Sequence, residues 1–421
     1  NHPFAIFLAG AFAFDMITVS EKLPEVPDGD NTCPDFVYYL AETLVIIDHE
    51  LQTSQIVAQV FSGKQHSSCL AHMQQRIIEL KKQLAQPITV AEVAKASASS
   101  SRMSSHQISA EASQQVTVDI SDQDYCDNVL KLKENIRAGD IFQVVPSRTF
   151  SLPCIDSLVA YQALKVSNPS PYMFYLQDDD FCMFGASPES AIKYQHKNRQ
   201  VEIYPIAGTR PRGRNPDGSI SLDLDSRIEL DLRLDKKELA EHIMLVDLAR
   251  NDIARVSQPG SRYVADLLKV DRYSHVMHLV SRVCGTLSLE LDALHAYQAC
   301  MNMGTLSGAP KIKATELIRQ VEGKRRGSYG GAVGYITGEG EMDTCIVIRS
   351  AFVKNDIAHV QAGAGVVYDS NPQSEADETR QKAQAVISAV MKANQQIITA
   401  NDNSATNSGA NSSTNSDKKG E

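Results

Sequence analysis

Residues 361–379, with the sequence QAGAGVVYDSNPQSEADET, join the two kinds of element from which we expect this fold to be built. The first half continues an apolar run that is typical of a strand, and Gly363 and Gly365 lie near the end of this strand. Glycines at a strand end let a ligand approach the backbone and expose N–H groups that suit an anion; an ordinary turn is the alternative. The third glycine of a dinucleotide-binding fingerprint is missing.

The second half of this stretch predicts a helix over residues 375–395. Ser374 and Asp377 have the spacing of a capping box at the start of that helix. Glu375 and Glu378 would then lie in the first turn, where the helix dipole favours carboxylates. Their i, i+3 spacing puts both side chains on one face of the helix.

A second pair, Glu238 and Glu241, has the same spacing within KKELAEHIMLVDLARND, residues 236–252. If the fold brings the two pairs together, four carboxylates converge, and their mutual repulsion requires a cation among them. Ligands that are all oxygen favour a hard ion, so the pattern predicts Mg²⁺ before Zn²⁺. Two solvated helix faces are the simpler alternative, because Glu is mostly a surface residue.

The composition excludes several classes of partner. The chain has 421 residues, a net charge of −10 and no long run of Lys or Arg, which argues against nucleic acid and anionic membranes as partners. Its eight cysteines are scattered without a CxxC motif, which is typical of reduced thiols in a cytoplasmic protein. No apolar run is long enough for a transmembrane helix.

The composition also divides the chain into four parts. We expect a strand-rich N-terminal part over 1–86, a Ser/Ala-rich linker or surface loop over 87–115, a main region over 116–398 and a disordered polar tail over 399–421. The apolar run FAIFLAGAFAF lacks the basic flank of a signal peptide, so we interpret it as a buried strand. Because the chain starts at Asn1, just ahead of that strand, we expect a segment to be missing before it.

Apolar periodicity predicts the remaining elements of an α+β protein. Strands are expected at 4–14, 36–48, 54–61, 116–121, 141–150, 172–177, 181–187, 191–195, 201–208, 328–337, 344–353 and 357–368. Helices are expected at 68–85, 121–138, 157–166, 235–250, 292–303, 311–321 and 375–395. Gly139 follows the second of these helices, as a C-terminal glycine should.

Four single residues are candidates for chemistry. Glu189 follows a strand and a proline, where a carboxylic acid near other carboxylates could keep a raised pKa and act as a general acid; a turn residue is the alternative. Arg349 interrupts an apolar strand, where it either meets an anion or faces water. Tyr329 could donate to the same anion or belong to the core. His278 lies among apolar residues, where a hydrogen-bonded core histidine is the commoner explanation.

Seven segments, taken together, resemble the chorismate-utilising enzymes and follow that family's order. They are PIAGTRPRG, EHIMLVDLARND, YSHVMHLVSRVCGTL, TLSGAPKIKA, RRGSYGGAVGYI, CIVIRS and QAGAGVVYDSNPQSEADET. The match runs from about residue 116 to about residue 390. The resemblance implies an α+β fold in which two β-sheets pack as a sandwich with helices on the outside.

Two positions distinguish members of this family. Relatives that form aminodeoxychorismate typically have a nucleophilic lysine where this chain has Ala207. Isochorismate and salicylate synthases have a lysine base where this chain has Gln143, and a glutamine cannot take a proton from water. The resemblance therefore implies ammonia as the nucleophile, converting chorismate to anthranilate and pyruvate in tryptophan biosynthesis. These other activities, and a non-catalytic amidotransferase-binding paralogue, are the alternatives.

The resemblance also implies roles for individual residues. Glu241 and Glu378 would bind Mg²⁺, with Glu238 and Glu375 in support. Glu189 would protonate the leaving hydroxyl, with His278 and Thr305 as candidates for the elimination step. The remaining contacts to chorismate would come from Gly208, Thr209, Tyr329, Arg349 and the amides of Gly363, Ala364 and Gly365.

The resemblance implies two further partners. No cysteine has the sequence context of an amidotransferase nucleophile, so we expect free ammonia, or ammonia from glutamine through a separate amidotransferase subunit in a hetero-oligomer. Tryptophan would be a possible inhibitor, bound partly by Pro171, Tyr172 and Met173. The Leu-Leu-Glu-Ser stretch that forms another wall of that pocket in the family is absent here, which agrees with the expected truncation.

Overall fold

The computed structural model describes residues 2–63, 66–86, 115–273 and 276–410, with the backbone alone for 401–410. The predicted linker over 87–115 lies almost wholly outside the described residues, as does the end of the predicted tail, residues 411–421.

Antiparallel strands form two large sheets and two small ones within the described residues. The strands are β1 Phe7–Phe12, β2 Phe36–Leu40, β3 Thr43–Asp48, β4 Thr53–Ala58, β5 Thr117–Val118, β6 Gln143–Val144, β7 Ser147–Pro153, β8 Tyr172–Gln177, β9 Cys182–Ser187, β10 Ser190–Gln195, β11 Gln200–Ile203, β12 Ile206–Pro211, β13 Tyr263–Arg272, β14 Val276–Thr286, β15 Gly308–Ala309, β16 Ala332–Thr337, β17 Met342–Ile346, β18 Ser350–Lys354 and β19 Ile357–Gly363.

The larger sheet has nine strands in the order β12-β14-β11-β10-β17-β16-β1-β2, with β13 paired to β14. The second sheet has six strands in the order β5-β7-β19-β18-β9-β8. The hairpin β3–β4 and the pair β6–β15 lie apart from both sheets. N-terminal strand β1 pairs with β16 from Phe7↔Thr337 to Phe12↔Ala332, so the N-terminal part and the main region share one sheet.

Helices complete the fold, and their ends follow from local capping. They are α1 His66–Leu84, α2 Asp122–Ala138, α3 Ser157–Ser167, α4 Leu222–Leu234, α5 Lys236–Ala254, α6 Ala293–Cys300, α7 Lys311–Glu322 and α8 Pro372–Ala410. Helix α2 ends at Gly139, whose φ of 82° suits glycine. At the start of α5, the carboxylate of Asp235 accepts hydrogen bonds from the amides of Lys237 and Glu238.

The buried apolar residues form layers that confirm the predicted sandwich. One cluster, which includes Met183, Val333 and Phe352, joins strands of the two large sheets face to face. A second cluster packs α3 and α8 against the outer face of the six-stranded sheet. A third packs α5 and α6 against the nine-stranded sheet. The helices therefore lie outside the two sheets, as expected for an α+β sandwich.

Two chain segments cross from one large sheet to the other side by side. The first connects β9 to β10 through Pro188 and Glu189, and the second connects β17 to β18 through Arg349. The carbonyl of Glu189 accepts from the amide of Ile346 (3.0 Å), and the carbonyl of Arg349 accepts from the amide of Ala186 (3.1 Å). These two segments, 188–189 and 347–349, are called the crossings below.

The prediction of a single strand over 344–353 was therefore wrong. Arg349 has a φ of 50°, which interrupts the ladder and lets the chain change sheets. The strands expected at 141–150 and 201–208 are likewise divided, at Pro146 and Pro205, because proline has no N–H to donate to a ladder. The strand expected at 36–48 divides at Ala41 into β2 and β3, which belong to different sheets.

The start of α8 also differs from the prediction. Its first residue is Pro372, and the side chain of Asn371 accepts from the amide of Ser374 (3.1 Å). Asn371 is thus the capping side chain, and the capping box predicted at Ser374 was wrong. Glu375 remains in the first turn, whereas Glu378 lies one turn later. The helix continues to Ala410, into the segment that was expected to be disordered from residue 399.

Candidate active site

A cavity of about 570 Å³ lies beside the two crossings, between the start of α5 and the start of α8. It brings together most of the predicted site residues, although they come from distant parts of the sequence. These are Glu189, His278 and Thr305; Gly208, Thr209, Tyr329, Arg349, Gly363 and Gly365; Glu238, Glu241, Glu375 and Glu378; and Gln143 and Ala207.

Ala364 is the predicted binding residue that does not line this cavity. It is fully buried, and its amide donates to the carbonyl of Pro146 (3.2 Å), so that amide is already occupied. The prediction of a substrate contact from the Ala364 amide is therefore corrected.

The two pairs of glutamates face the same cavity from α5 and α8, but they do not meet at one point. No group of three or more His, Cys, Asp or Glu side chains in the described part of the chain has an arrangement that could hold a metal ion. Three of the carboxylates are instead paired with protein cations, since isolated like charges repel. These pairs are Arg210 with Glu238 (3.0 Å), Lys237 with Glu241 (3.8 Å) and Lys382 with Glu378 (2.6 Å).

The charge around these carboxylates still leaves room for a cation. Burial raises the pKa of Glu241, and the neighbouring carboxylates of Glu238, Glu375 and Glu378 raise it further. Burial also raises the pKa of Glu375, again with a contribution from Glu378. Raised pKa values mean that the protein alone does not stabilise the ionised carboxylates, and a divalent ion would do so. The oxygen-only donor set fits Mg²⁺.

Glu189 has the environment of a buried general acid. It is 8% exposed and lies on the first crossing, with its carboxylate facing the cavity. Burial raises its pKa to about 8, against the opposing effect of a hydrogen bond from Thr305 (3.0 Å) and of the nearby charges of Lys382 and Arg349. The carboxyl group therefore carries a proton at neutral pH and can deliver it.

His278 lies on strand β14, which the sequence patterns did not predict. Its Nδ1 and the hydroxyl of Thr209 are 2.9 Å apart, across the pairing of β14 with β12. Burial lowers the pKa of His278, and the positive charge of Arg349 contributes. The imidazole is therefore neutral at neutral pH, which leaves it able to accept a proton.

Arg349, Tyr329 and Gly363 form one end of the cavity, which suits an anion. Among the described residues, the guanidinium of Arg349 donates to the carbonyl of Lys382 at 3.4 Å, and other N–H groups of its fork are available. Burial raises the pKa of Tyr329 to about 12, so its hydroxyl remains a donor. A methyl group on Gly363 would lie 3.2 Å from that hydroxyl and 2.7 Å from the carbonyl of Pro146, which explains the glycine.

Two residues at the cavity were missed at the level of sequence. Lys382 donates to the carbonyl of Gly363 (3.0 Å) and pairs with Glu378. Its i, i+4 spacing from Glu378 was visible in the sequence but did not show which way the helix faces. Gln361, which lies near the end of β19, also lines the cavity.

The residues predicted to bind tryptophan lie elsewhere. Pro171 precedes β8, an edge strand of the six-stranded sheet, and Tyr172 and Met173 begin that strand. The hydroxyl of Tyr172 donates to Asp343 (3.0 Å), and none of these residues lines the cavity.

The helices of the described residues include no segment that is both long and apolar enough to span a membrane.

Comparisons with known proteins agree with this geometry. A family model described as chorismate binding enzyme matches residues 1–388. The anthranilate synthase component 1 of Vibrio cholerae serotype O1 is 61% identical over 392 residues, which cover 93% of this chain and 72% of that protein. The anthranilate synthase component 1 of Escherichia coli K12 is 58% identical over 392 residues, which cover 92% of this chain and 71% of that protein.

Solved structures give the same picture. The anthranilate synthase component I of Streptococcus pneumoniae TIGR4 is similar with a TM-score of 0.78 at 33% identity, covering 92% of this chain and 82% of that one. The menaquinone-specific isochorismate synthase of Escherichia coli has a TM-score of 0.66 at 18% identity, covering 91% of this chain and 78% of that one. The second likeness bears on the fold alone.

Proposed function

The chain belongs to the family of chorismate binding enzymes, and we propose that it aminates chorismate with ammonia and releases anthranilate and pyruvate. It is a chorismate-utilising enzyme of tryptophan biosynthesis. The observation that carries the chemistry on chorismate is the meeting of a protonated Glu189 and an Arg349 with available donors in one cavity. One supplies an acid for a leaving hydroxyl, and the other binds a carboxylate.

Two positions in the cavity bear on the identity of the nucleophile. Gln143 and Ala207 line the cavity at the two positions where relatives with other activities have lysines. Neither side chain can act as a base or as a nucleophile. Ammonia needs neither, because its lone pair is available without loss of a proton. Isochorismate, salicylate and aminodeoxychorismate formation are the alternative activities.

The chemistry requires two steps. Ammonia forms a bond to C2 of chorismate while the C4 hydroxyl leaves as water, with its proton supplied by Glu189. Loss of the C2 proton and of the enolpyruvyl group as pyruvate then makes the ring aromatic. The neutral imidazole of His278 accepts the C2 proton, while Thr305 keeps Glu189 oriented. The balance is chorismate and ammonia giving anthranilate, pyruvate and water.

The substrate is oriented by its two carboxylates. Arg349, Tyr329 and the backbone at Gly363 and Gly365 bind the enolpyruvyl carboxylate at one end of the cavity. Gly208 and Thr209 lie against the ring. The ring carboxylate points towards the glutamates of α5 and α8, where Glu241 and Glu378 would hold Mg²⁺ with Glu238 and Glu375 in support. A bound Mg²⁺ would neutralise that carboxylate and act as a Lewis acid.

A separate subunit is expected to supply ammonia from glutamine. All eight cysteines lie in the described part of the chain, and six of them are buried. Burial raises the pKa of the thiols of Cys33, Cys154 and Cys300, among others, which leaves them poor nucleophiles. Because no cysteine, including the exposed Cys69, has the sequence context of an amidotransferase nucleophile, glutamine hydrolysis is assigned to a partner amidotransferase. Tryptophan remains a proposed inhibitor, with Pro171, Tyr172 and Met173 as part of its site.

The first test needs only chorismate, ammonium salt and Mg²⁺. We expect the chain alone to form a blue-fluorescent aromatic amine with the mass of anthranilate, and EDTA to stop its formation. A hydroxylated product, identified by mass, would instead support an isochorismate- or salicylate-forming enzyme. No product from folded protein at saturating ammonia would support the non-catalytic alternative.

A further inference from the structure

Arg326 lies directly beneath the cavity without lining it. It belongs to RRGSYGG, one of the segments that the proposed chemistry uses only through Tyr329. Its side chain is 2% exposed and its guanidinium lies between two rings, 4.6 Å from the ring centre of Phe14 and 5.5 Å from that of Tyr329. Burying an arginine costs free energy unless its N–H donors have hydrogen-bond partners.

The guanidinium of Arg326 joins three separate segments. Its Nη1 donates to the carbonyl of Leu306 (2.7 Å), and its Nη2 donates to the carbonyl of Val145 (2.6 Å). Its Nε and Nη2 donate to the carboxylate of Glu322, at 2.9 and 2.5 Å, as a planar fork does. One side chain thus holds the loop before β15, the chain after β6 and the end of α7 in a single arrangement.

Two of these segments carry a residue of the cavity. Leu306 follows Thr305, whose hydroxyl donates to Glu189. Val145 lies two residues after Gln143. Hydrogen bonds to the carbonyls of Leu306 and Val145 restrict the backbone on which Thr305 and Gln143 lie.

The third connection runs through Glu322. Its Oε1 accepts from the amide and the hydroxyl of Ser147, at 2.7 and 2.8 Å. The hydroxyl of Ser147 in turn accepts from Nε2 of Gln361 (2.8 Å), which lines the cavity. The ion pair of Arg326 and Glu322 therefore reaches the strand that ends at Gly363.

The N-terminal segment anchors Arg326 from the opposite side. The carboxylate of Asp15, which is 1% exposed, accepts from the amides of Arg326 (2.8 Å) and Gly327 (2.9 Å) and from the guanidinium of Arg319 (2.7 Å). The backbone at Arg326 is consequently held as firmly as its side chain.

We propose that Arg326, paired with Glu322, is the positioning residue of the active site, which sets Thr305 against Glu189 and holds Tyr329 and Gln361 at the opposite wall. The role rests on the proposed function only for its activity assay. If the pair only stabilised the fold, a variant that still folds would keep its activity. Such variants are feasible because a whole buried ion pair is often replaceable without loss of stability. A positioning pair would change the chemistry even where the fold survives.

Arg326→Lys is the first variant. It keeps a positive charge beside Glu322 but cannot reach both carbonyls and the carboxylate, because the planar fork is lost. We expect kcat to fall by about 10- to 100-fold, as small misplacements of reacting groups do, with a smaller change in KM for chorismate. If this variant does not fold, the neutral double variant Arg326→Gln/Glu322→Gln tests the same point without a buried unpaired charge.

The pH profile separates positioning from structure. The donor Thr305 and the charges of Lys382 and Arg349 face Glu189 and oppose the rise of its pKa. If the hydroxyl of Thr305 moves away from Glu189, the pKa of Glu189 rises. The limb of the pH–activity profile on which activity is lost with increasing pH then moves to higher pH. Arg199→Met is the matched control, because Arg199 also ties backbone carbonyls, those of Leu287, Ser288 and Leu291, away from the cavity.

The inference is upheld if kcat falls and the limb shifts in Arg326→Lys but not in Arg199→Met. It is overturned if the folded variant keeps both the wild-type kcat and the wild-type limb, or if the control shifts the limb equally. A wild-type chain that does not turn over chorismate would contradict the proposed function instead. In that case, titration of the Glu189 carboxyl by isotope-edited infrared spectroscopy, in both variants, still decides whether Arg326 positions Thr305.

Discussion

A Glu189→Gln variant is expected to lose about 10²–10⁴-fold in kcat, which is the usual contribution of a general acid. Glutamine keeps the size of the side chain and can still accept from Thr305, but it has no proton of suitable acidity to give to the leaving hydroxyl. The measurement is steady-state formation of anthranilate from chorismate at saturating ammonia and Mg²⁺. Binding of chorismate, followed by calorimetry, should change little, because Glu189 acts on the leaving group.

Stability gives an independent check on the same variant. The pKa of Glu189 is raised to about 8 in the folded protein, so the folded state holds its proton more tightly than the unfolded state. This contribution to stability is present below the unfolded pKa and is lost as pH rises through about 8. The wild type should therefore lose unfolding temperature relative to Glu189→Gln as pH rises from about 4.5 to about 8, and the difference should stay constant above that range. A variant with near-normal turnover, or with no relative gain in stability at high pH, would contradict the buried-acid assignment.

A Glu378→Gln variant should lose Mg²⁺-dependent turnover while keeping its fold. Removing one carboxylate from the proposed metal site costs several kcal/mol of transition-state stabilisation, or about 10²–10³-fold in kcat/KM at a fixed Mg²⁺ concentration. The second turn of α8 tolerates glutamine, since Glu378 is a partly exposed helix residue. The measurement is a Mg²⁺ titration of activity, which should require higher concentrations in the variant.

The control for this variant is Glu134→Gln. Glu134 is an exposed helix carboxylate paired with Arg137, and it lies outside the cavity. Both changes remove one charge from an i, i+3 or i, i+4 ion pair on a helix, so they differ mainly in position. A normal Mg²⁺ titration in Glu378→Gln would remove this residue from the metal site. An altered titration in Glu134→Gln would mean that net charge, and not ligation, is responsible.

Local patterns predicted well where one element decides the structure. Gly139 ends α2 as predicted. Helix α4 was missed for a physical reason: in LDLDSRIELDLRL, leucines recur at every second position, which is typical of a strand. Only Leu232 of these leucines is buried, so the apolar pattern did not report the helix face.

The candidate site was predicted less completely, because it depends on how sheets meet. The sequence left open whether Arg349 meets an anion or faces water; it is partly buried at the cavity because a kink with positive φ lies between the two sheets there. The two glutamate pairs were expected at one point, whereas they line one cavity and take Arg210, Lys237 and Lys382 as partners. Sequence spacing along single helices contains no information on these contacts between elements.

The two crossings have a mechanical consequence. Two adjacent chain segments connect the two sheets covalently there. The carbonyl of Glu189 in the first accepts from the amide of Ile346, and the carbonyl of Arg349 in the second accepts from the amide of Ala186. We therefore expect sliding of one sheet over the other to displace Glu189 and Arg349 less than the outer strands, because the chain links the sheets at these residues. Hydrogen exchange at the amides of Ala186 and Ile346 should then be slower than at the amides of the outer strands. Exchange that is as fast as in the outer strands would contradict this expectation.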